Sequence, residues 1–356
     1  MAKILIVRLG AMGDILHALP AVTGIRAALP DATIGWMVEE RWSELLAAAG
    51  TAISGAVDSG RPVVNQIHYV NTRQWRSRMF RSGLGSMIQE AMRPVRAANY
   101  DVALDFQGAI KSAVLARMSG ASVKAGFVTP RESAARFLYS ERYGRTGEHV
   151  IEQNVGLASQ ALKKFTGSEE IKLLAPLLPH DPAAERWAEA EILRLGIAGF
   201  VLMNPGAGWG AKQWPPQRYG EVARALSIHG LKTLINAAPG EESLAQQLID
   251  VSGGNAFMVR STIGQLIALT RRARLFVGGD TGPLHLAATL GIPTVGLFGP
   301  TDPARTGPFG IKCVALRHPE SRTTFSHHKE TEHGLLKITA EETIAAARWL
   351  LGGGHA

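Results

Sequence analysis

Leu275-Phe276-Val277-Gly278-Gly279-Asp280-Thr281-Gly282-Pro283-Leu284-His285 runs from an apolar stretch through a double glycine into a second apolar stretch. Leu275–Val277 is the end of a buried strand, Gly278-Gly279 a tight turn, and Leu284–Leu290 a helix. Asp280 and Thr281 are cap residues by type, and Gly282 just precedes the helix. The first N–H groups of a helix lack intrahelical partners and carry its positive dipole end, so this turn offers itself to an anion. His285 falls in the first turn and points back toward it. A lone histidine is more often structural than functional, but Asp, Thr, Gly and His within six residues of one helix start favour a binding role.

The same strand–turn–helix alternation extends to both sides. Toward the N-terminus lie strands at Phe200–Met203 and Lys232–Asn236 and helices at Pro215–Ile228, Glu241–Val251 and Ile263–Ala273. Beyond the quoted stretch follow a strand at Thr294–Phe298 and a terminal helix at Ala340–Leu351. The first half reads alike: strands at Ile4–Val7, Thr33–Val38, Gln66–Val70 and Tyr100–Asp105, and helices at Ile15–Leu29, Glu44–Ala49 and Lys111–Met118. A basic, helix-compatible stretch spans Arg73–Arg96. Such alternation is the pattern of an α/β protein with parallel sheets. Pro176–Pro182 carries three prolines and separates the halves, which gives domains at 1–175 and 183–338 and a terminal helix in 339–356.

At 356 residues, with 46% hydrophobic and 19% charged residues, the chain can build two cores. One cysteine, Cys313, leaves neither an internal disulfide nor a thiolate zinc cluster, and fits a reducing compartment. The start is too short for a membrane span and lacks the pattern of a signal peptide, and no later apolar run reaches about 18 residues. The expected location is therefore cytoplasmic. The net charge of +8 favours anionic partners, whether nucleic acid, phosphorylated substrate or acidic membrane, without choosing among them.

Three further groups could carry chemistry. Gly10-Ala11-Met12-Gly13-Asp14 follows the first strand and opens a helix, without the spacing of a dinucleotide fingerprint. Asp14 there is either a cap or a carboxylate at the ligand-binding end of the sheet. Gly206-Ala207-Gly208-Trp209-Gly210 with Lys212 offers backbone N–H groups and a mobile cation to phosphate, again without Walker spacing. Arg73, Arg76, Arg78 and Arg81, with Trp75 and Phe80, then Arg93 and Arg96, form a basic face suited to phosphate, nucleic acid or lipid. His327-His328 and His333 lack a metal-ligand spacing, and no metal is expected.

Ile4–His17, Ala211-Lys212-Gln213-Trp214-Pro215, Gly279–His285 and Phe298-Gly299-Pro300-Thr301-Asp302-Pro303 together resemble the lipopolysaccharide heptosyltransferases, glycosyltransferase family 9. Tyr100-Asp101, Asp105–Ser112 and Pro130-Arg131-Glu132 extend the likeness over roughly residues 1–310, and it is strongest to the type I members.

The resemblance implies a GT-B fold, two Rossmann-like domains facing across a cleft, with the last helix crossing back to the first domain. It implies inverting, metal-independent transfer of heptose from ADP-L-glycero-D-manno-heptose to the Kdo of the lipid A inner core. Asp14 would be the general base, and Lys212 with the N–H groups of Thr281 and Gly282 would stabilise the leaving diphosphate. Gly13, Gly208, Glu241, Ser261, Asp280, Thr281, Gly282 and His285 match donor-binding positions, with Glu241 toward the ribose. Arg73, Arg76, Gln107, Lys111 and Arg131 match the acceptor side. ADP-heptose, a Kdo-lipid A acceptor and the anionic inner face of the inner membrane are then the partners, with no cofactor and no nucleic acid. Gly206–Gly210 stands where the family carries threonines and acids, and His318–Gly334 matches no assigned motif. The alternatives are a type II or related transferase with another sugar or acceptor, a nucleotide-sugar epimerase or reductase, and a basic nucleic-acid-binding or regulatory protein.

Overall fold

The computed structural model describes residues 1–78, 83–167, 169–310, 312–324 and 330–353. The chain divides into two compact units, Met1–His180 and Asp181–Ala356. The division falls inside the proline-rich 176–182 stretch. There the Asp181 carboxylate accepts from the Ala183 and Ala184 N–H groups and caps the helix Pro182–Arg194.

The first unit holds β1 (Lys3–Val7), β2 (Thr33–Glu39), β3 (Gln66–Val70), β4 (Val102–Asp105), β5 (Val123–Phe127) and β6 (Glu141–Tyr143). They form one parallel sheet in the order β3-β2-β1-β4-β5-β6. The second unit holds β7 (Phe200–Asn204), β8 (Lys232–Asn236), β9 (Ala256–Val259), β10 (Leu275–Gly279), β11 (Thr294–Phe298) and β12 (Cys313–Arg317). Its order, β12-β11-β10-β7-β8-β9, is the same one counted within the unit. This is the doubly wound Rossmann order, and the pair of units has the GT-B architecture.

Parallel sheets covered on both faces demand unbroken apolar strands. Ile4 to Val7, Val102 to Leu104, Val201 to Met203 and Leu275 to Val277 are accordingly all buried. Full burial of each such aliphatic side chain contributes roughly 1.5–3 kcal/mol. Winding reverses between β1 and β4 in one sheet and between β7 and β10 in the other. Ligands bind such sheets at these switch points, beyond the carboxyl ends of the strands. Register sets the relevant ends side by side, Val7 opposite Asp105 and Asn204 opposite Gly278.

Several expectations change. Glu44–Ala49 is no α-helix; a 3-10 turn, Glu40–Leu45, follows β2 directly. The basic stretch is not one continuous helix: Thr72–Ser77 is a short helix capped by Asn71, and Leu84–Ala97 restarts after Gly83, whose positive φ breaks the run. Phe80 and Arg81 lie outside the described residues, as do His327 and His328. The terminal helix Ala340–Leu351 buries Ala340, Ala347 and Leu350 in the second unit's core, against the helix Pro216–Ser227 and β10 to β12. Its apolar face fits that core, which includes Val222, Leu226, Val295 and Leu297.

Candidate functional site

In the first unit the switch point is built on β1, β4 and the helix Met12–Ala28. Asp14 sits in that helix's first turn, next to Gly13, with its side chain 39% exposed. One carboxylate oxygen accepts from the Ala11 N–H at 3.0 Å, and the other pairs with the Arg8 guanidinium at 2.6 Å. Arg8 is buried, donates at 2.8 Å to the Phe106 carbonyl, and leaves Nε without a partner among the described residues. Asp14 is thus both a local cap and a solvent-reaching carboxylate held in one orientation.

Gln107 spends its side-chain oxygen on the Leu9 N–H at 3.0 Å, tying the end of β4 to the loop after β1. Asp105, at the last position of β4, is fully buried. It accepts from Tyr139 at 2.7 Å, Ser112 at 2.8 Å, and the Gln107 and Gly108 N–H groups at 2.8 and 3.1 Å. Burial pushes its carboxyl up, and these neutral donors oppose the shift only in part.

The candidate acceptor residues Arg73 and Arg76 are exposed on the helix Thr72–Ser77. Thr72 donates its N–H and hydroxyl to Glu39 at the end of β2, which fixes this helix beside the same sheet edge. Arg41, which sequence reasoning did not single out, belongs to the same cationic surface. Burial and then the charge of Arg73 lower its pKa, and its guanidinium stacks 4.8 Å from the Trp42 ring. Lys111 is exposed in the first turn of the helix Ile110–Met118. Arg131 is exposed on a loop held there by the Glu132 N–H to the Gly108 carbonyl and by Glu132 accepting from the Ile110 N–H at 2.8 Å.

In the second unit Lys212 meets Asp280 across 68 residues of sequence, and His285 joins them from five residues beyond Asp280. Lys212 Nζ lies 2.5 Å from Asp280 Oδ2 and 3.3 Å from the Asp280 carbonyl, and stacks 4.8 Å from the Trp209 ring. His285 Nε2 is 3.0 Å from Asp280 Oδ1, and Thr301 donates to Oδ2 at 2.7 Å. Burial alone would raise the Asp280 carboxyl, but His285 and Lys212 outweigh it and hold it far below the usual carboxylate range. Lys212 has three donors and, among the described residues, uses two on Asp280, so one remains for a ligand.

Thr281 stands at the N-cap position of the helix Gly282–Thr289 without a side-chain cap bond, its hydroxyl donating to the Gly279 carbonyl, and the N–H groups of Thr281 and Gly282 open the first turn. The double glycine is required by close approach. A Cβ at Gly279 would stand 3.0 Å from the Lys212 carbonyl, so a side chain there would push Lys212 away from Asp280.

A polar chain runs along the carboxyl ends of β7 to β9. Ser261 donates to Asn236 at 2.8 Å, Asn236 to Asn204 at 3.0 Å, and Asn204 to the Gly206 carbonyl at 2.9 Å. Glu241 lies over Gly206 and accepts from the Ala238 N–H at 3.0 Å. Its carboxyl is pushed up, first by burial and then by Glu242. Gly208 is exposed on the same turn. The donor residues expected from sequence in this half therefore lie at one end of one sheet, whereas Asn204, Asn236 and Thr301 were missed. Asparagines closing two neighbouring strands were the available signal.

The described parts of His318–Gly334 buttress this site. Glu332 donates its N–H to the Ala211 carbonyl, and Thr331 donates to the Gln213 carbonyl, so both neighbours of Lys212 are pinned. Thr324 donates to the Pro300 carbonyl and Arg317 to Gly299, which fixes the loop carrying Thr301. Among the described residues, no three His, Cys, Asp or Glu side chains stand together as a metal site would need.

Comparison with known proteins agrees with this architecture. The family model for glycosyltransferase family 9 (heptosyltransferase) matches residues 88–335. The lipopolysaccharide heptosyltransferase 1 of Pseudomonas aeruginosa is 29% identical over 320 residues, covering 88% of this chain and 83% of that one. A glycosyl transferase family 9 structure from Veillonella parvula superposes with a TM-score of 0.81 at 19% identity, covering 99% of this chain and 98% of that one. The E. coli heptosyltransferase WaaC with ADP-2-deoxy-2-fluoro heptose gives a TM-score of 0.72 at 24% identity over 96% of this chain and 97% of that one. With the matched region spanning most of the sequence, the chain belongs to glycosyltransferase family 9, the heptosyltransferase family.

Proposed function

We propose that this enzyme is a lipopolysaccharide heptosyltransferase that moves heptose from ADP-L-glycero-D-manno-heptose to the Kdo of the lipid A inner core, with inversion and without a metal. The observation that carries the donor half is the Lys212–Asp280–His285 cluster beside the N-terminus of the helix Gly282–Thr289. A half-buried lysine with one spare donor and helix N–H groups is the arrangement that stabilises a leaving diphosphate. The names of the relatives point the same way: the P. aeruginosa protein is a lipopolysaccharide heptosyltransferase 1, and WaaC was solved with ADP-2-deoxy-2-fluoro heptose.

In this reading the acceptor hydroxyl oxygen attacks the anomeric carbon as its bond to the β-phosphate oxygen breaks. The hydroxyl proton passes to Asp14, and ADP leaves. Arg8 and the Ala11 N–H hold the carboxylate in place, and each of its oxygens keeps a lone pair for the proton. Glu241 and the Ser261–Asn236–Asn204 chain receive the nucleoside, with Glu241 accepting from a ribose hydroxyl. Arg41, Arg73, Arg76, Lys111 and Arg131 meet the anionic acceptor, while Gln107 shapes the loop that carries Asp14. The work is proposed to occur at the cytoplasmic face of the inner membrane. Among the described residues no helix is long and apolar enough to cross a bilayer.

The test is incubation with ADP-heptose and Kdo-lipid A, with and without a chelator, followed by mass spectrometry of the lipid. A heptose increment of unchanged yield with chelator is expected. No product, or product only without chelator, contradicts the reading.

A further inference from the structure

The helix Ile110–Met118 turns one face inward and leaves the other uncovered. Ser112, Ala113, Leu115 and Ala116 are buried, whereas Ile110, Lys111, Val114 and Arg117 are exposed, at the spacing of a single helical face. The short 3-10 helix Ser133–Leu138 packs beside it and carries Phe137, 72% exposed, with the Arg136 guanidinium 4.8 Å from its ring. Lys111, Arg117 and Arg136 make no ion pair among the described residues. The neighbouring acid, Glu132, is engaged as the cap on the Ile110 N–H. The patch is therefore apolar tips interleaved with uncompensated cations, on elements tied firmly to the sheet.

We propose that this face docks on an anionic lipid bilayer, with Phe137, Ile110 and Val114 entering the headgroup boundary and Lys111, Arg117 and Arg136 meeting lipid phosphates. Apolar insertion combined with cationic attraction is the signature of interfacial binding. A nucleic acid would use the cations and leave exposed Ile, Val and Phe unused. A two-fold contact with a second copy would set these cations against one another. The inference deepens the proposed reading, in which a lipid-borne acceptor reaches this half of the molecule, and it can be tested without acceptor or donor.

The full chain would be sedimented with vesicles of phosphatidylcholine alone or mixed with phosphatidylglycerol, at low and high salt. Binding only to the phosphatidylglycerol vesicles, weakened by salt, is expected. Arg117→Gln and Arg136→Gln should each reduce partitioning about fivefold, and Phe137→Ser by a similar factor. Ile228→Ser, at an isolated exposed position of the second unit, should leave partitioning unchanged. Circular dichroism of the variants should match the parent, because every altered side chain is exposed. Equal binding to both vesicle types, or equal binding by parent and Phe137→Ser, overturns the proposal. So does a concentration-dependent dimer that Phe137→Ser disrupts. Absence of transferase product would leave the vesicle result intact, so the two readings fail separately.

Discussion

The fourth strand of each sheet ends beside a buried aspartate, and the two are treated in opposite ways. Asp105, closing β4, is surrounded by neutral donors: the Tyr139 and Ser112 hydroxyls and two backbone N–H groups. Asp280, just after β10, is surrounded by Lys212, His285 and the Thr301 hydroxyl. Burial raises the first carboxyl, and the cations hold the second far down. One strand order thus supports two kinds of switch point. In the first half the aspartate at the strand end is structural, and the solvent-reaching carboxylate is Asp14, one loop away. In the second half the aspartate at the strand end is the centre of the charged site. Fold gives the positions, and the donors around each carboxylate decide what the position does.

The comparison breaks most visibly in turnover. Asp14→Asn keeps the cap geometry but removes the proposed base, and should lower kcat by about 10²–10⁴-fold. Lys212→Ala removes the preorganised contact proposed for the leaving phosphate and should lower kcat by about 10²–10³-fold. Both are read from initial rates on saturating ADP-heptose and Kdo-lipid A. A rate near the parent's in either variant reassigns that residue to structure.

The two buried aspartates should separate next in stability against pH. Asp280 has a depressed folded pKa, so its stabilisation is present above the unfolded value of about 3.9 and is lost as pH falls from there toward the folded pKa. Asp105 has a raised folded pKa, so its ionisation opposes folding at neutral pH, and that cost is relieved as pH falls through the folded value. Urea unfolding between pH 3 and 7 should therefore show a flatter acid limb in Asp280→Asn and a steeper net acid loss in Asp105→Asn. Identical profiles would remove the contrast.

The smallest effect is expected at Gly206. A Cβ there would stand 1.9 Å from a Glu241 carboxylate oxygen, and that carboxylate ends a flexible side chain. Gly206→Ala should leave the melting temperature nearly unchanged and raise the KM for ADP-heptose several-fold, through displacement of Glu241. An unchanged KM with lowered stability would make the contact structural only.

Much of the fold was legible because parallel strands buried on both faces are unbroken apolar runs, and Ile4–Val7, Phe200–Met203 and Leu275–Val277 announce themselves. Strands β5, β6, β9 and β12 were not, since Glu141–Tyr143 has three residues and Ala256–Val259 is only half buried. Glycine-rich turns flagged Asp14, Lys212 and Asp280. What joins them to partners is tertiary: Thr301 reaches Asp280 across 21 residues, and Glu332 reaches Ala211 across more than a hundred. Arg8 lay in plain view as the charge ending the first apolar run. Its role became readable only once the helix start folded back and set Asp14 beside it.

The division of labour between the halves is tested most directly by ADP binding, measured calorimetrically on the parent, Asp14→Asn and Lys212→Ala alongside their turnover. The account expects Asp14→Asn to bind ADP as the parent does while turning over poorly, and Lys212→Ala to lose both ADP affinity and turnover. Loss of ADP binding in Asp14→Asn, or parent-like ADP binding in Lys212→Ala, would contradict it.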